Sequence, residues 1–202
     1  SGFNFIAAGP PNYPFDGADN YPVPGTHNFT LIISEEVSID TASDGAGGFF
    51  NFQEAVSVNN SSFSGNSTIT INGDVTTRGF AADGTPGFDD AVRIYKYKNG
   101  FTNITVGENS SIKAYDGGEG LYSYGGYGGN VTATINGDIL SEEGSAIVLL
   151  KGDSSIQSIT GVAGNITVNI GSTSEITAKK DAVFLFINHE NTQDVDAKSI
   201  SF

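Results

Sequence analysis

The chain contains no cysteine, methionine or tryptophan, and it has only nine basic residues against 23 acidic ones. The lack of cysteine excludes a disulfide framework, thiol chemistry and metal sites built on thiolates. The formal charge of -14 opposes binding to nucleic acid phosphates or to an anionic membrane surface. No apolar run approaches the roughly 20 residues that a membrane-spanning helix requires. Nucleic acid and membrane partners are therefore not expected.

Proline is scarce beyond the first 28 residues, which hold five of the six prolines. This segment shows no sustained alternation of apolar and polar residues. Its aromatic residues argue against a disordered tail, because such a density is unusual in disordered segments. We therefore predict an irregular N-terminal cap over residues 1–28 and a single all-β unit over residues 29–202.

The all-β unit contains an internal repeat. The stretch Asn66-Ser-Thr-Ile-Thr-Ile-Asn-Gly-Asp-Val75 returns 64 residues later as Asn130-Val-Thr-Ala-Thr-Ile-Asn-Gly-Asp-Ile139. Repetition at this scale indicates one supersecondary unit stacked on copies of itself. An enlarged, Ser- and Asn-rich loop is expected at 54–65. We predict five rungs, at residues 29–65, 66–101, 102–129, 130–164 and 165–202.

The first strand of each rung alternates with period two, so that Ile69 and Ile71 face inward while Thr68 and Thr70 face solvent. After a glycine-centred turn, one apolar residue is expected to plug the core, as at Val75. Four asparagines begin successive rungs, and each is formally a glycosylation acceptor. We expect these asparagines to form a ladder at the corners of the solenoid instead. They are Asn66, Asn103, Asn130 and Asn165.

The second strand of each rung is apolar on both sides, which is unusual for a strand with one solvent-facing side. Either loops or the N-terminal cap cover its outer side, or that side is an exposed aromatic ladder. Such a ladder would suit a sugar ring, a protein strand or another copy of the chain, because tyrosine and phenylalanine offer large contact areas at low entropic cost. The candidate binding residues are Phe50, Phe52, Tyr95, Tyr122, Tyr124, Phe184 and Phe186.

Repeats of Ile-Thr-Ile-Asn-Gly-Asp-Val, followed by a Gly-rich turn and Ala-Val-Phe-Leu-Phe, resemble the passenger domains of bacterial autotransporter adhesins. The resemblance covers residues 29–202. It implies a right-handed parallel β-helix with three strands per coil, secreted to the bacterial cell surface and exposed at the outer membrane. Membrane contact would come only through a C-terminal barrel, which these residues do not include. Expected partners are a host or partner cell surface (glycan or protein) or copies of the chain itself.

Parallel β-helices also include polysaccharide hydrolases and lyases. The stretch Gly87-Phe-Asp-Asp-Ala-Val92 loosely resembles the paired-aspartate element of polygalacturonases, in which one carboxylic acid protonates the leaving group and a carboxylate activates water. That family also has Gly-His-Gly and Arg-Ile-Lys elements, whereas His27 and His189 lie in other contexts here. No cofactor or metal is expected, since the acidic turns match no calcium-loop spacing. We therefore predict a non-enzymatic adhesin, with a hydrolase or lyase that uses Asp89 and Asp90 as the alternative.

Overall fold

The computed structural model describes residues 3–6, 28–42, 54–59, 65–78, 90–96, 100–115, 117–125, 129–151, 164–187 and 200–201. The described residues form short strands joined by turns. In chain order these are β1 (Phe3–Ile6), β2 (Phe29–Ile33), β3 (Ser38–Ala42), β4 (Val56–Asn59), β5 (Ser67–Ile71), β6 (Asp74–Arg78), β7 (Val92–Lys96), β8 (Thr102–Val106), β9 (Ser111–Ala114), β10 (Leu121–Gly125), β11 (Val131–Ile135), β12 (Asp138–Ser141), β13 (Ile147–Lys151), β14 (Ile166–Ile170), β15 (Ile176–Ala178), β16 (Val183–Ile187) and β17 (Ile200–Ser201).

These strands build three parallel sheets. The aromatic sheet has the order β1-β4-β7-β10-β13-β16, the threonine sheet β17-β14-β11-β8-β5-β2, and the short sheet β15-β12-β9-β6-β3. Each pass of the chain places one strand in each sheet, and neighbouring strands pair in parallel. The predicted parallel β-helix with about five rungs is therefore confirmed.

The 64-residue repeat corresponds to two rungs. Ile71 pairs with Val106, which in turn pairs with Ile135. Ile69 and Ile71 are fully buried, whereas Thr68 and Thr70 on the other side of the same strand are partly exposed. The predicted alternation is thus confirmed. Successive side chains of a strand point to opposite sides, and only the inner side removes the branched apolar side chains from water.

The corner between the aromatic and threonine sheets is built from stacked glycines. Gly65, Gly100 and Gly129 have φ angles of 132°, 133° and 69°, which favour glycine. Successive rungs approach so closely that a Cβ on Gly129 would lie 1.8 Å from the carbonyl oxygen of Gly100. Glycine therefore fixes both the turn and the distance between rungs here.

The residue after each corner glycine continues the expected asparagine ladder, with one correction. The side-chain oxygen of Asn66 accepts a hydrogen bond from the Phe101 N–H (3.0 Å), and that of Asn130 accepts one from the Asn165 N–H (2.9 Å). The prediction for Asn103 was wrong, because this residue pairs with Thr68 on the exposed side of the threonine sheet. Phe101 holds the ladder position in that rung.

A second ladder lies at the turn into the short sheet. Asp74 Oδ1 accepts a hydrogen bond from the Ser111 N–H (3.1 Å), and two rungs later Asp138 Oδ1 accepts one from the Glu175 N–H (2.9 Å). Both aspartates belong to the repeated Asn-Gly-Asp motif. In the two rungs that carry it, the motif therefore supplies the buried turn glycine and an acceptor that ties that rung to the next.

The first rung differs from the prediction. Residues 54–65 were expected to form a loop, but Val56–Asn59 is strand β4, which pairs with β7. The N-terminal segment was expected to be irregular, but Phe3–Ile6 is strand β1, which pairs with β4 and extends the aromatic sheet. The alternation in Val56-Ser-Val58 is a strand signal that the loop prediction overlooked. Strand β1 pairs with the backbone groups of β4 that would otherwise form an open edge.

Candidate contact surface

The outer side of the aromatic sheet carries two columns of side chains, as the sequence predicts for four of the rungs. One column contains Arg93, Tyr122, Val148 and Phe184, and the other contains Tyr95, Tyr124, Leu150 and Phe186. Phe50 and Phe52 lie outside the described residues. In the described residues, Ser57 and Asn59 of β4 are the partners of Arg93 and Tyr95.

Exposure changes along these columns. Tyr95, Tyr122 and Tyr124 are half-buried, and Val148 is only 6% exposed. At the last rung, Phe184 and Phe186 are 42% and 47% exposed. The outer side is therefore partly buried at these middle rungs and open to solvent at the last described strand, β16.

The two exposed phenylalanines form a single apolar surface. Their ring centroids lie 6.5 Å apart with an interplanar angle of 12°. They project from alternate positions of β16, which places both rings on the outer side of the sheet. Aromatic rings in this arrangement offer a rigid area for stacking or for apolar contact. We refer to Phe184 and Phe186 as the phenylalanine pair.

The partly buried part of the surface is a tyrosine cluster around one arginine. The ring of Tyr95 meets those of Tyr122 and Tyr124 edge-on, with both centroid distances at 6.3 Å. The guanidinium of Arg93 lies 5.8 Å from the Tyr122 ring centroid and 6.0 Å from that of Tyr95. These distances fall within the range of cation–π attraction. Burial raises the pKa of the Tyr122 hydroxyl to about 12, so this ring stays neutral.

Arg93 also joins three rungs through buried carboxylates. It forms an ion pair with Glu54 and donates from Nε to Asp90 Oδ2 (2.6 Å). Asp90 Oδ1 accepts a hydrogen bond from the Glu119 N–H (2.9 Å) in the following rung. The side chains of Arg93, Glu54 and Asp90 are 12%, 10% and 1% exposed, which makes the cluster an internal clamp.

The environment of Asp90 bears on the hydrolase alternative. Burial raises the pKa of this carboxyl to about 7, with a further rise from its contact with Glu119 and an opposing effect of Arg93. A raised pKa suits a general acid, but a carboxyl without solvent exposure, held by two neighbours, does not present a proton to a substrate. Asp89 lies outside the described residues. The geometry of Asp90 therefore favours a structural role.

Two buried lysines at the ends of aromatic-sheet strands were not predicted from the sequence. Lys96 and Lys151 are 2% and 3% exposed and share the inward side with Ile94 and Leu149. The signal was present, because extending the second-strand alternation by one position directs each lysine inward. Burial lowers the pKa of both side chains to about 8.

The described residues contain no group of three or more His, Asp or Glu side chains that could hold a metal ion. In the same part of the chain, no helix is long and apolar enough to cross a membrane.

The fold defines the chain as a parallel β-solenoid. Comparison with protein-family models, with curated proteins and with solved structures gave no match.

Proposed function

We propose that this solenoid is a non-enzymatic contact module of a secreted bacterial surface protein, an adhesin that binds the surface of another cell. The observation that carries the proposal is the phenylalanine pair, two large apolar side chains that are 42% and 47% exposed on one strand face. Paired exposed aromatics of this kind mark interaction surfaces more often than isolated apolar residues do. The resemblance of the repeats to autotransporter passenger domains supports the same function.

Charge narrows the class of partner. At a formal charge of -14, two copies of the chain repel each other unless their contact geometry or a cation offsets the repulsion. A neutral or basic protein on the partner cell meets no such repulsion. We therefore favour a cell-surface protein as the partner, with a cell-surface glycan or a second copy of the chain as other outcomes of the test.

The mechanism rests on the rigidity of the stack and on repetition. The phenylalanine pair sits on a strand whose inner side packs against the core, through Val183, Leu185 and Ile187. Little conformational entropy is then lost when the rings make contact. A single small patch gives weak binding, but many copies on one cell act together through avidity.

Adhesion of coated beads to cultured cells tests this proposal. Beads carrying the chain should bind cells, and beads carrying Phe184→Ser/Phe186→Ser should bind at least several-fold less. Ile32→Ser is the matched control, because Ile32 is 62% exposed on the threonine sheet, away from the phenylalanine pair. Circular dichroism of each variant checks that the fold is retained.

The outcomes separate the partner classes. Loss of adhesion after protease treatment of the cells identifies a protein partner, and loss after periodate oxidation identifies a glycan. Sedimentation velocity over a wide concentration range detects self-association and its dependence on the phenylalanine pair. Equal adhesion by the double variant and the parent would refute the phenylalanine pair as the contact surface. An absence of adhesion by the parent would refute the adhesin function.

A further inference from the structure

Two buried lysines approach the same place inside the solenoid. Lys96 ends β7 and Lys151 ends β13, and both pair with Gly125 at the end of the intervening strand β10. All three positions lie on the inner side of the aromatic sheet, next to its corner with the threonine sheet. Two positive charges are therefore held in one column, separated by a residue with no side chain.

Gly125 leaves space that the Lys151 side chain occupies. A Cβ on Gly125 would lie 3.0 Å from Lys151 Cδ and 3.2 Å from Lys151 Nζ. The Lys151 side chain therefore runs across Gly125, toward the rung that carries Lys96. The charge of Lys96 contributes, after burial, to the lowered pKa of Lys151, which is consistent with two neighbouring ammonium groups.

A third polar group lies on the same inner side. Ser123 is two residues before Gly125, and it is 1% exposed. Among the described residues, its hydroxyl has no hydrogen-bond partner. A buried hydroxyl without a partner costs free energy, and a neighbouring acceptor would remove that cost. An anion next to Gly125 would be such an acceptor.

We propose that Lys96, Lys151 and Ser123 form a binding site for a small inorganic anion, such as chloride, inside the corner at Gly125. The inference rests on two buried lysines that flank Gly125 and on a buried hydroxyl two residues away on the same side of the sheet. Both lysines make other polar or electrostatic contacts as well. Because the three side chains are only 1–3% exposed, the site is closed to the headgroup of a lipid and to a sugar acid.

Chloride dependence of stability tests the site in the whole chain. The urea midpoint is measured at constant ionic strength while chloride replaces gluconate, which is too large to enter. An anion that binds only the folded state raises stability with the logarithm of its concentration, once that concentration exceeds its dissociation constant. We expect this rise in the parent, its loss in Lys96→Met/Lys151→Met, and a smaller slope in Ser123→Ala. Lys113→Met, which replaces a lysine on the outer side of β9, should keep the full slope.

A second measurement needs no variant. The lowered pKa values of both lysines are about 8, so near pH 10 both side chains are neutral amines. The stability of the parent should then no longer depend on chloride. An equal chloride slope at about pH 6.5 and at about pH 10, or in the parent and the double variant, would overturn the proposal. So would a parent whose urea midpoint does not respond to chloride at about pH 6.5.

Discussion

Gly129 is expected to be among the least replaceable residues of the chain. In Gly129→Ala, the new Cβ would lie 1.8 Å from the carbonyl oxygen of Gly100, whereas ordinary contacts begin near 3.4 Å. The φ angle of 69° adds about 1–2 kcal/mol of strain for any residue with a Cβ. The Gly100 oxygen is a backbone atom and the position of the new Cβ is fixed by the backbone. No change of side-chain rotamer can therefore relieve the clash.

The corner must therefore open. Two hydrogen bonds between rungs flank it, from the Thr102 N–H to the Asn130 carbonyl (2.8 Å) and from the Val131 N–H to the Asn165 carbonyl (2.9 Å). Loss of both costs about 2 kcal/mol, so Gly129→Ala should lower the free energy of unfolding by about 3–4 kcal/mol. This is a large fraction of the roughly 5–15 kcal/mol that keeps a domain folded.

Urea denaturation followed by far-UV circular dichroism measures this loss. The matched control is Gly171→Ala, because the nearest atom to its new Cβ is a side-chain oxygen, Asn136 Oδ1, at 2.9 Å. That amide can rotate, so the control should lose less than about 1 kcal/mol. If Gly129→Ala and Gly171→Ala were equally stable, the corner would not fix the spacing of the rungs and the reasoning would be wrong.

Two further predictions concern buried charge. The free energy of unfolding should be lowest between about pH 7 and 8. The raised pKa of Asp90 (about 7 instead of 3.8) makes stability fall as the pH rises from about 4 to 7. The lowered pKa values of Lys96 and Lys151 (about 8 instead of 10.5) make stability rise again up to about pH 10.5. A urea midpoint that peaks at neutral pH, or an acidic limb that is unchanged in Asp90→Ala, would contradict this. Arg93→Met should lower the free energy of unfolding by about 3 kcal/mol in urea denaturation, because it leaves buried carboxylates without their cation. The control is Arg78→Met, which removes an ion pair that is about half exposed and should cost less than about 1 kcal/mol. Equal losses in the two variants would refute the role of Arg93 as an internal clamp.

The rungs could be predicted from the sequence because their inner positions obey one periodicity. Apolar residues recur at the positions of Ile69 and Ile71 in every rung, and this alternation sets which side of the strand faces the core. The same logic gave the correct register for Tyr122 and Phe184. Resemblance between adjacent repeats therefore predicted most of the sheet pairing.

The first rung and the interior charges could not be predicted in the same way. The aromatic stretch around Phe50 matched the composition of the later second strands better than Val56–Asn59 did, so composition outweighed periodicity. The distribution of exposure was also hidden, because Tyr122 and Phe184 have equivalent positions in strands two rungs apart but different surroundings. Lys96 was missed because charged residues are so rarely buried that its inward position was not considered.

The constancy of the register has a consequence for how such a chain can change. Ser67 and Thr102 are paired across 35 residues, and Thr102 and Val131 across 29 residues, yet both pairs occupy the same place in the threonine sheet. Chain length between strands is thus free to vary while the strands keep their partners, since lengthening a loop costs little entropy. Segments of new sequence can be inserted between rungs without altering the core. The solenoid separates the part of the chain that must stay constant from the part that can diversify.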